Sequence, residues 1–422
     1  MNESISREFL EKLPKSDLHV HLDGSVRLST LIELARERNV ELPSYTEEGL
    51  RETVFKDLYG SLVEYLQGFQ YLTAVMQDEE ALERIAYEFA LDNQAEGVRY
   101  IEPRFAPQLH INEHLDLKRV MWAVHRGFKR GRDQFNARAE VRSGQEPPFE
   151  YGIIACAMRM FTAEFGPYFH QFLDVHRYTP RKRAFAMASL ELAQAVVALR
   201  NEYGLPIVGF DLAGQENGFP AVDHAEAYQF VHKNFMKKTV HAGEAYGPES
   251  IFQAITDLHA DRIGHGYHLL SAWLIESNIN DKHGYIRDLA QYIADRRVTI
   301  EICLSSNLQT NPMLKSIADH AFRDMQKLRL STTFCTDNRT VSSTTVTREI
   351  ELAVRHFNLT RRDLRHHIIY GFKRSFFPGN YLAKRAYVRR IIDYYEQVER
   401  DFAVPGDPSV RDEFLGPEEA GI

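Results

Sequence analysis

The chain has 422 residues, of which 44% are hydrophobic and 26% charged, and its net charge is −8. These are the proportions of a soluble globular protein, and the acidic balance leaves no electrostatic footprint for a nucleic-acid partner. Three scattered cysteines exclude a disulfide framework, the polar amino terminus does not read as a signal peptide, and no apolar run is long enough for a bilayer. A cytoplasmic protein with no membrane association is expected.

The first element is Asp17-Leu18-His19-Val20-His21-Leu22-Asp23. Apolar and ionisable residues alternate strictly, which is the period of a β-strand. His19 and His21 then stand side by side on one face, close enough to share a metal ion. A half-exposed strand that happens to carry two histidines is the other reading, and ligands further along the chain must decide. From Ser61, Leu62, Tyr65, Leu66, Phe69, Leu72 and Met76 recur at three- and four-residue steps and predict an amphipathic helix. A second helix carries Leu82, Ile85, Phe89 and Ala90, with Gly97 as its C-terminal cap. Residues 98–105 predict a strand, 115–135 a helix, 136–148 a loop or small insertion, and 153–158 a strand buried on both faces.

A helix over 181–203 precedes strand-like runs at 207–212, 239–241, 262–264, 298–304 and 330–336. Eight strands alternating with helices predict parallel βαβ units, and eight of them suit a closed (β/α)₈ barrel. Extra helices are expected between the first two strands and at the C-terminus, where Thr360 and Asp363 have a capping-box spacing. Residues 1–402 are expected to form one domain, with 403–422 a disordered acidic Pro/Gly tail.

In such a barrel the chemistry sits where the strands end. The polar residues there are His19, His21, Asp23, Glu102, Arg104, Arg159, Asp211, Gly214, His241, Glu244, His265, Ser306, Asn307, Asp337 and Asn338. Three or four N/O donors with a place left for water compose a catalytic zinc site, and His19, His21, His241 and Asp337 are the donors favoured. Alternatively His241 and His265 are core histidines satisfied by neighbours. His110, His114, His283, His366 and His367 lack a partner pattern and are expected at the surface, as is the Arg126, Lys129, Arg130 and Arg132 cluster.

The run 14–25 resembles the opening motif of the adenosine deaminases. So do Asp211-Leu212-Ala213-Gly214, Thr239-Val240-His241-Ala242-Gly243-Glu244, Arg262-Ile263-Gly264-His265-Gly266 and Thr336-Asp337, in the family's order. The resemblance implies a zinc-dependent barrel with one Zn²⁺ on His19, His21, His241 and Asp337. It implies that Glu244 protonates purine N1 and that His265 orients or deprotonates the water held at the zinc. Gly214 would bond purine N3 through its N–H, and Asp23 would reach a ribose hydroxyl. Leu62, Tyr65, Leu66 and Phe69 would form the apolar helix over the pocket.

The implied reaction is hydrolytic deamination of adenosine and 2′-deoxyadenosine at C6, giving inosine and ammonia. One departure stands out: Asn338 replaces the aspartate that many relatives place against purine N7, although an amide can donate there directly. The alternatives are a deaminase of another 6-aminopurine, such as adenine or a modified adenine nucleoside, or a non-catalytic nucleoside-binding relative. Asp23 and Gly264 lean against free adenine, because relatives acting on the free base tend to show Glu and Asp there. The sequence leaves the oligomeric state open.

Overall fold

A computed structural model describes residues 5–402; the tail expected at 403–422 lies outside the described residues. Eight parallel strands form the sheet: β1 Lys15–His21, β2 Val98–Phe105, β3 Ile153–Met158, β4 Ile207–Ala213, β5 Lys237–Ala242, β6 Arg262–His265, β7 Thr299–Ile302 and β8 Thr332–Phe334. Each pairs with the next in chain order. The ring closes through a parallel bridge between Val20 and Asp337, with Asp337 N–H donating to His19 O (2.8 Å) and His21 N–H to Asp337 O (2.6 Å). This is the (β/α)₈ barrel expected from the alternation. A two-residue strand, Glu150–Tyr151, adds to β2.

Helices Leu28–Glu37, Glu47–Thr53, Leu62–Gln67, Phe69–Ala74 and Glu79–Ala95 fill the long connection from β1 to β2. Gly97, at φ +86°, ends the last of them as expected. The helix expected to run on from Ser61 is instead two short ones meeting at Gly68, whose N–H reaches back to Leu66 and Tyr65 carbonyls. Glycine is a poor helix interior residue, and the apolar spacing alone did not reveal the break. Likewise Ser306 and Asn307 are not on a strand end but in the helix Leu304–Thr310. The loop or small insertion expected at 136–148 contains the short helix Ala139–Arg142.

One hydrophobic cluster runs from Ile5 to Val398. The C-terminal helices Arg361–Arg374 and Tyr381–Asp401 pack at the end where the strands begin. There Phe376 lies under the Arg262 guanidinium (3.6 Å to the ring centroid), and the Tyr387 hydroxyl donates to Arg99 O at 2.7 Å. Thr360 and Asp363 make the capping box. His110 and His367 are buried rather than at the surface. Nδ1 of His110 meets Met76 O at 2.9 Å, and Nδ1 of His367 meets Thr332 Oγ1 at 3.0 Å. Both partners come from other elements, which residue type and spacing do not disclose. Among the described residues no helix is long and apolar enough to cross a membrane.

Candidate metal and catalytic site

β1 is buried along its whole length, which removes the half-exposed reading: the face bearing His19 and His21 points into the barrel mouth. The ring nitrogens away from that mouth are spoken for. His19 Nδ1 lies 2.7 Å from Glu301 Oε2, and His241 Nδ1 lies 3.1 Å from Asp211 Oδ2. A neutral imidazole that gives its N–H to a carboxylate turns a lone pair outward at Nε2. Those lone pairs converge. His19 Nε2 and His21 Nε2 stand 3.4 and 3.5 Å from Asp337 Oδ1, and His21 Nε2 is 3.1 Å from His241 Nε2. His19 Nε2 is buried without a hydrogen-bond partner. Basic nitrogens crowded around a carboxylate are what a cation would satisfy, and this buried His/Asp cluster can bind a metal. Ligand atoms of His19, His241, His265 and Asp337 also lie within 4.8 Å of one another, so His265 borders the same cluster.

Beneath the histidines lies a fully buried ion network. Arg104 spans Asp211 (2.9 Å) and Glu301 (3.0 Å). Arg262 joins Glu301 (2.6 Å) to Glu102. Glu102, Arg104 and Asp211, read as strand-end candidates, are therefore supports below the site. Burial would raise the Asp337 carboxyl, but the imidazoles of His19, His265 and His21 beside it hold it well below the usual range. Ser306 Oγ donates to its second oxygen at 2.6 Å.

Two site residues sit in left-handed backbone, His265 at φ +62° and Asp337 at φ +59°. Such residues cost about 1–3 kcal/mol each and persist only where the surroundings impose them; the β1 hydrogen bonds to Asp337 do so here. Between His241 and His265, Gly264 leaves room for the His19 ring: a Cβ there would stand 2.8 Å from His19 Cε1.

Glu244 lies in the loop after β5, its side chain 7% exposed and Oε1 3.7 Å from His265 Nε2. Burial, with Asp337 and Glu216 nearby, pushes its pKa well above the ordinary carboxylate value. Glu216 holds that loop. Its carboxylate accepts the backbone N–H groups of Gly243, Glu244, Ala245 and Tyr246 at 2.7–3.0 Å and the Ser250 hydroxyl at 2.6 Å. Asp23 is buried near the cluster, 3.8 Å from His21 Nδ1. Its Oδ1 has no hydrogen-bond partner, and burial raises its pKa to about 7. Gly214 follows β4 at φ +98°. Arg159, another strand-end candidate, donates to backbone O atoms of Phe219 (2.7 Å) and His241 (2.5 Å).

Glu301 and Glu216 were not singled out in the sequence. Glu301 carried one signal, an ionisable residue inside an otherwise apolar run. Glu216 carried none beyond its place two residues after Gly214.

The adenosine deaminase family model matches residues 14–394. The chain belongs to the adenosine deaminase family. It is 35% identical over 377 residues to Adenosine deaminase 1 of Streptomyces coelicolor, an alignment covering 88% of this chain and 85% of that protein. It is 36% identical over 375 residues to the adenosine deaminase of Mycobacteroides abscessus, covering 87% and 92% respectively. Among solved structures, the Arabidopsis N6-mAMP deaminase superposes with a TM-score of 0.68 at 26% identity, over 92% of this chain and 99% of that one.

Within this adenosine deaminase family member, Asn338 sits beneath Tyr65. Its Nδ2 donates to the Tyr65 hydroxyl at 2.7 Å, and that hydroxyl also meets Ser342 Oγ at 2.8 Å. One amide hydrogen is therefore engaged by the Leu62–Gln67 helix, and Asn338 Oδ1 is buried without a hydrogen-bond partner. On the same segment Leu62, Leu66 and Phe69 are half-buried against the core, while Tyr65 is buried.

Proposed function

We propose that this chain is a zinc-dependent hydrolase that deaminates adenosine and 2′-deoxyadenosine to their inosine counterparts and ammonia. The convergence of His21, His241 and Asp337 with the unpartnered His19 Nε2 carries the reading. His19, His21, His241 and Asp337 would hold one Zn²⁺: three neutral nitrogens and a carboxylate form a donor set that suits zinc. Zinc, when bound, makes hydroxide available at neutral pH from water, whose free pKa is 15.7.

The protein's own residues do the rest. Glu244, kept protonated by burial and by its negative neighbours, gives its proton to purine N1, which makes C6 electrophilic. His265 faces both Glu244 and the cluster and orients the attacking water. Asp23, with a buried oxygen lacking a partner, accepts from a ribose hydroxyl. Gly214 contributes its N–H to purine N3. Asn338 offers its remaining amide hydrogen to N7. Leu62, Tyr65, Leu66 and Phe69 cover the base and exclude water. Cys156, Cys303 and Cys335 are all buried free thiols, which supports a cytoplasmic setting.

The test is ammonia release from adenosine, 2′-deoxyadenosine, adenine and AMP, with metal analysis of the same preparation. Adenosine and deoxyadenosine should be turned over fastest by protein holding one zinc per chain. Faster release from adenine or AMP would sink the nucleoside assignment.

A further inference from the structure

A neutral imidazole can present either a lone pair or an N–H at Nε2, and beside a cation the two do opposite things. His265 Nε2 is buried, with no hydrogen-bond partner. The opposite side of its ring decides which form it takes. His265 Nδ1 lies 3.2 Å from Asn307 Nδ2. Asn307 Oδ1 lies 3.1 Å from His320 Nε2, and the backbone N–H of Phe322 donates to His320 Nδ1 at 3.0 Å.

The last link has a fixed polarity, because a peptide N–H can only donate. His320 Nδ1 must therefore accept and carries no hydrogen, which leaves the ring's single proton on Nε2. His320 is 1% exposed, and burial pushes its pKa down to about 3, so it stays neutral. An Nε2–H requires an acceptor, and that turns the Asn307 carbonyl oxygen toward His320. The Asn307 amide N–H then faces His265. An asparagine's orientation is ambiguous alone; here the Phe322 amide fixes it through His320. His265 Nδ1 accepts in turn, so its proton sits on Nε2.

We propose that the chain Phe322–His320–Asn307 locks His265 as the Nε2–H tautomer, so that it meets the His/Asp cluster as a hydrogen-bond donor. His320 and Asn307 are then positioning residues that act through His265. A neutral His265 held this way has no lone pair for a cation at Nε2, although its ligand atom lies within 4.8 Å of those of His19, His241 and Asp337. That separates it from His21 as a ligand. It also cannot take a proton at that nitrogen while neutral. Its N–H serves an oxygen: that of the attacking water, or Glu244 Oε1. Only this last step rests on the function proposed above; the proton's position does not.

Nitrogen-15 NMR of the full chain labelled at histidine, metal-free and zinc-loaded, reads the tautomer directly, with His265 assigned by His265→Gln. The expected pattern is a protonated Nε2 and a lone-pair Nδ1. A wild-type ring protonated at Nδ1 alone overturns the proposal, whether or not adenosine is a substrate. His320→Gln keeps an oxygen for Phe322 and an NH₂ for Asn307, so the pattern should survive. Asn307→Asp offers only acceptors and should bring a proton onto His265 Nδ1. It should also lower kcat by about 10–100-fold, as changes to such supporting partners do, with KM little altered. If Asn307→Asp leaves the His265 signals unchanged, the chain does not set the tautomer. Should either variant fail to fold, the wild-type spectrum still decides.

Discussion

The floor and the roof of the site are built from different forces. On the floor, His19 and His241 are each held by a buried carboxylate, and Arg104 spans both carboxylates. Hydrogen bonds to charged groups contribute about 1.5–3 kcal/mol each, and β1 itself closes the barrel against Asp337. Over the mouth, Leu62–Gln67 and Phe69–Ala74 are two short helices broken at Gly68. Half-buried apolar side chains and the hydrogen bonds of the Tyr65 hydroxyl tie them down. A neutral hydrogen bond is worth only about 0.5–1.5 kcal/mol. With the function proposed above, the chemical step would depend on the charged floor, and the grip on the substrate on the roof and rim.

Four substitutions test the two regions against each other. Glu244→Gln keeps the shape and loses the proton, so kcat should fall by about 10²–10⁴-fold with zinc content unchanged. In the wild type, activity should decline as pH rises through the raised Glu244 pKa, because in the proposed role only the protonated form gives N1 its proton. The Gln variant should lack that alkaline limb, and a loss smaller than about threefold would mean another group supplies the proton. Arg104→Met leaves Asp211 without a guanidinium partner and Glu301 with Arg262 alone in the barrel interior. Removing one member of a buried ion pair costs about 3–5 kcal/mol, to be read from denaturant unfolding of the zinc-loaded protein. An unchanged midpoint would show that Arg262 alone balances the floor.

At the rim the expected effects are smaller. Asp23→Ala should lower kcat/KM for adenosine by about 10- to 150-fold, the equivalent of one charged hydrogen bond. It should cost much less for adenine, and equal losses on both substrates would make Asp23 a structural residue. Tyr65→Phe removes only the hydroxyl that ties the roof to Asn338 and Ser342. KM for adenosine should rise by about 2- to 13-fold, with kcat nearly constant. A fall in kcat without a change in KM would place Tyr65 with the floor instead.

The floor was also the legible half. Its strands are short apolar runs with an ionisable residue at the end, so eight elements and the His19–His21 pair could be read in order. What the sequence hid was support through space. Glu301 gains its meaning only when Arg104, Arg262 and His19 arrive from three other strands, and Glu216 only when the loop after His241 folds across it. His110 and His367 looked like surface residues because their acceptors, Met76 O and Thr332 Oγ1, lie 34 and 35 positions away. The break at Gly68 escaped notice because the apolar spacing continues through it. Asn307 showed only as a strand-end residue, since the turn into Leu304–Thr310 left no mark in the pattern.

Gly264 carries one consequence further. With this backbone, a side chain at 264 and the present position of the His19 ring exclude each other, since the first added carbon would stand 2.8 Å from His19 Cε1. A lineage that filled this position would have to move the His19 ring before it gained anything from a new contact to substrate. A change of specificity by that route therefore crosses a fitness valley, and compensating shifts in β1 would have to come first.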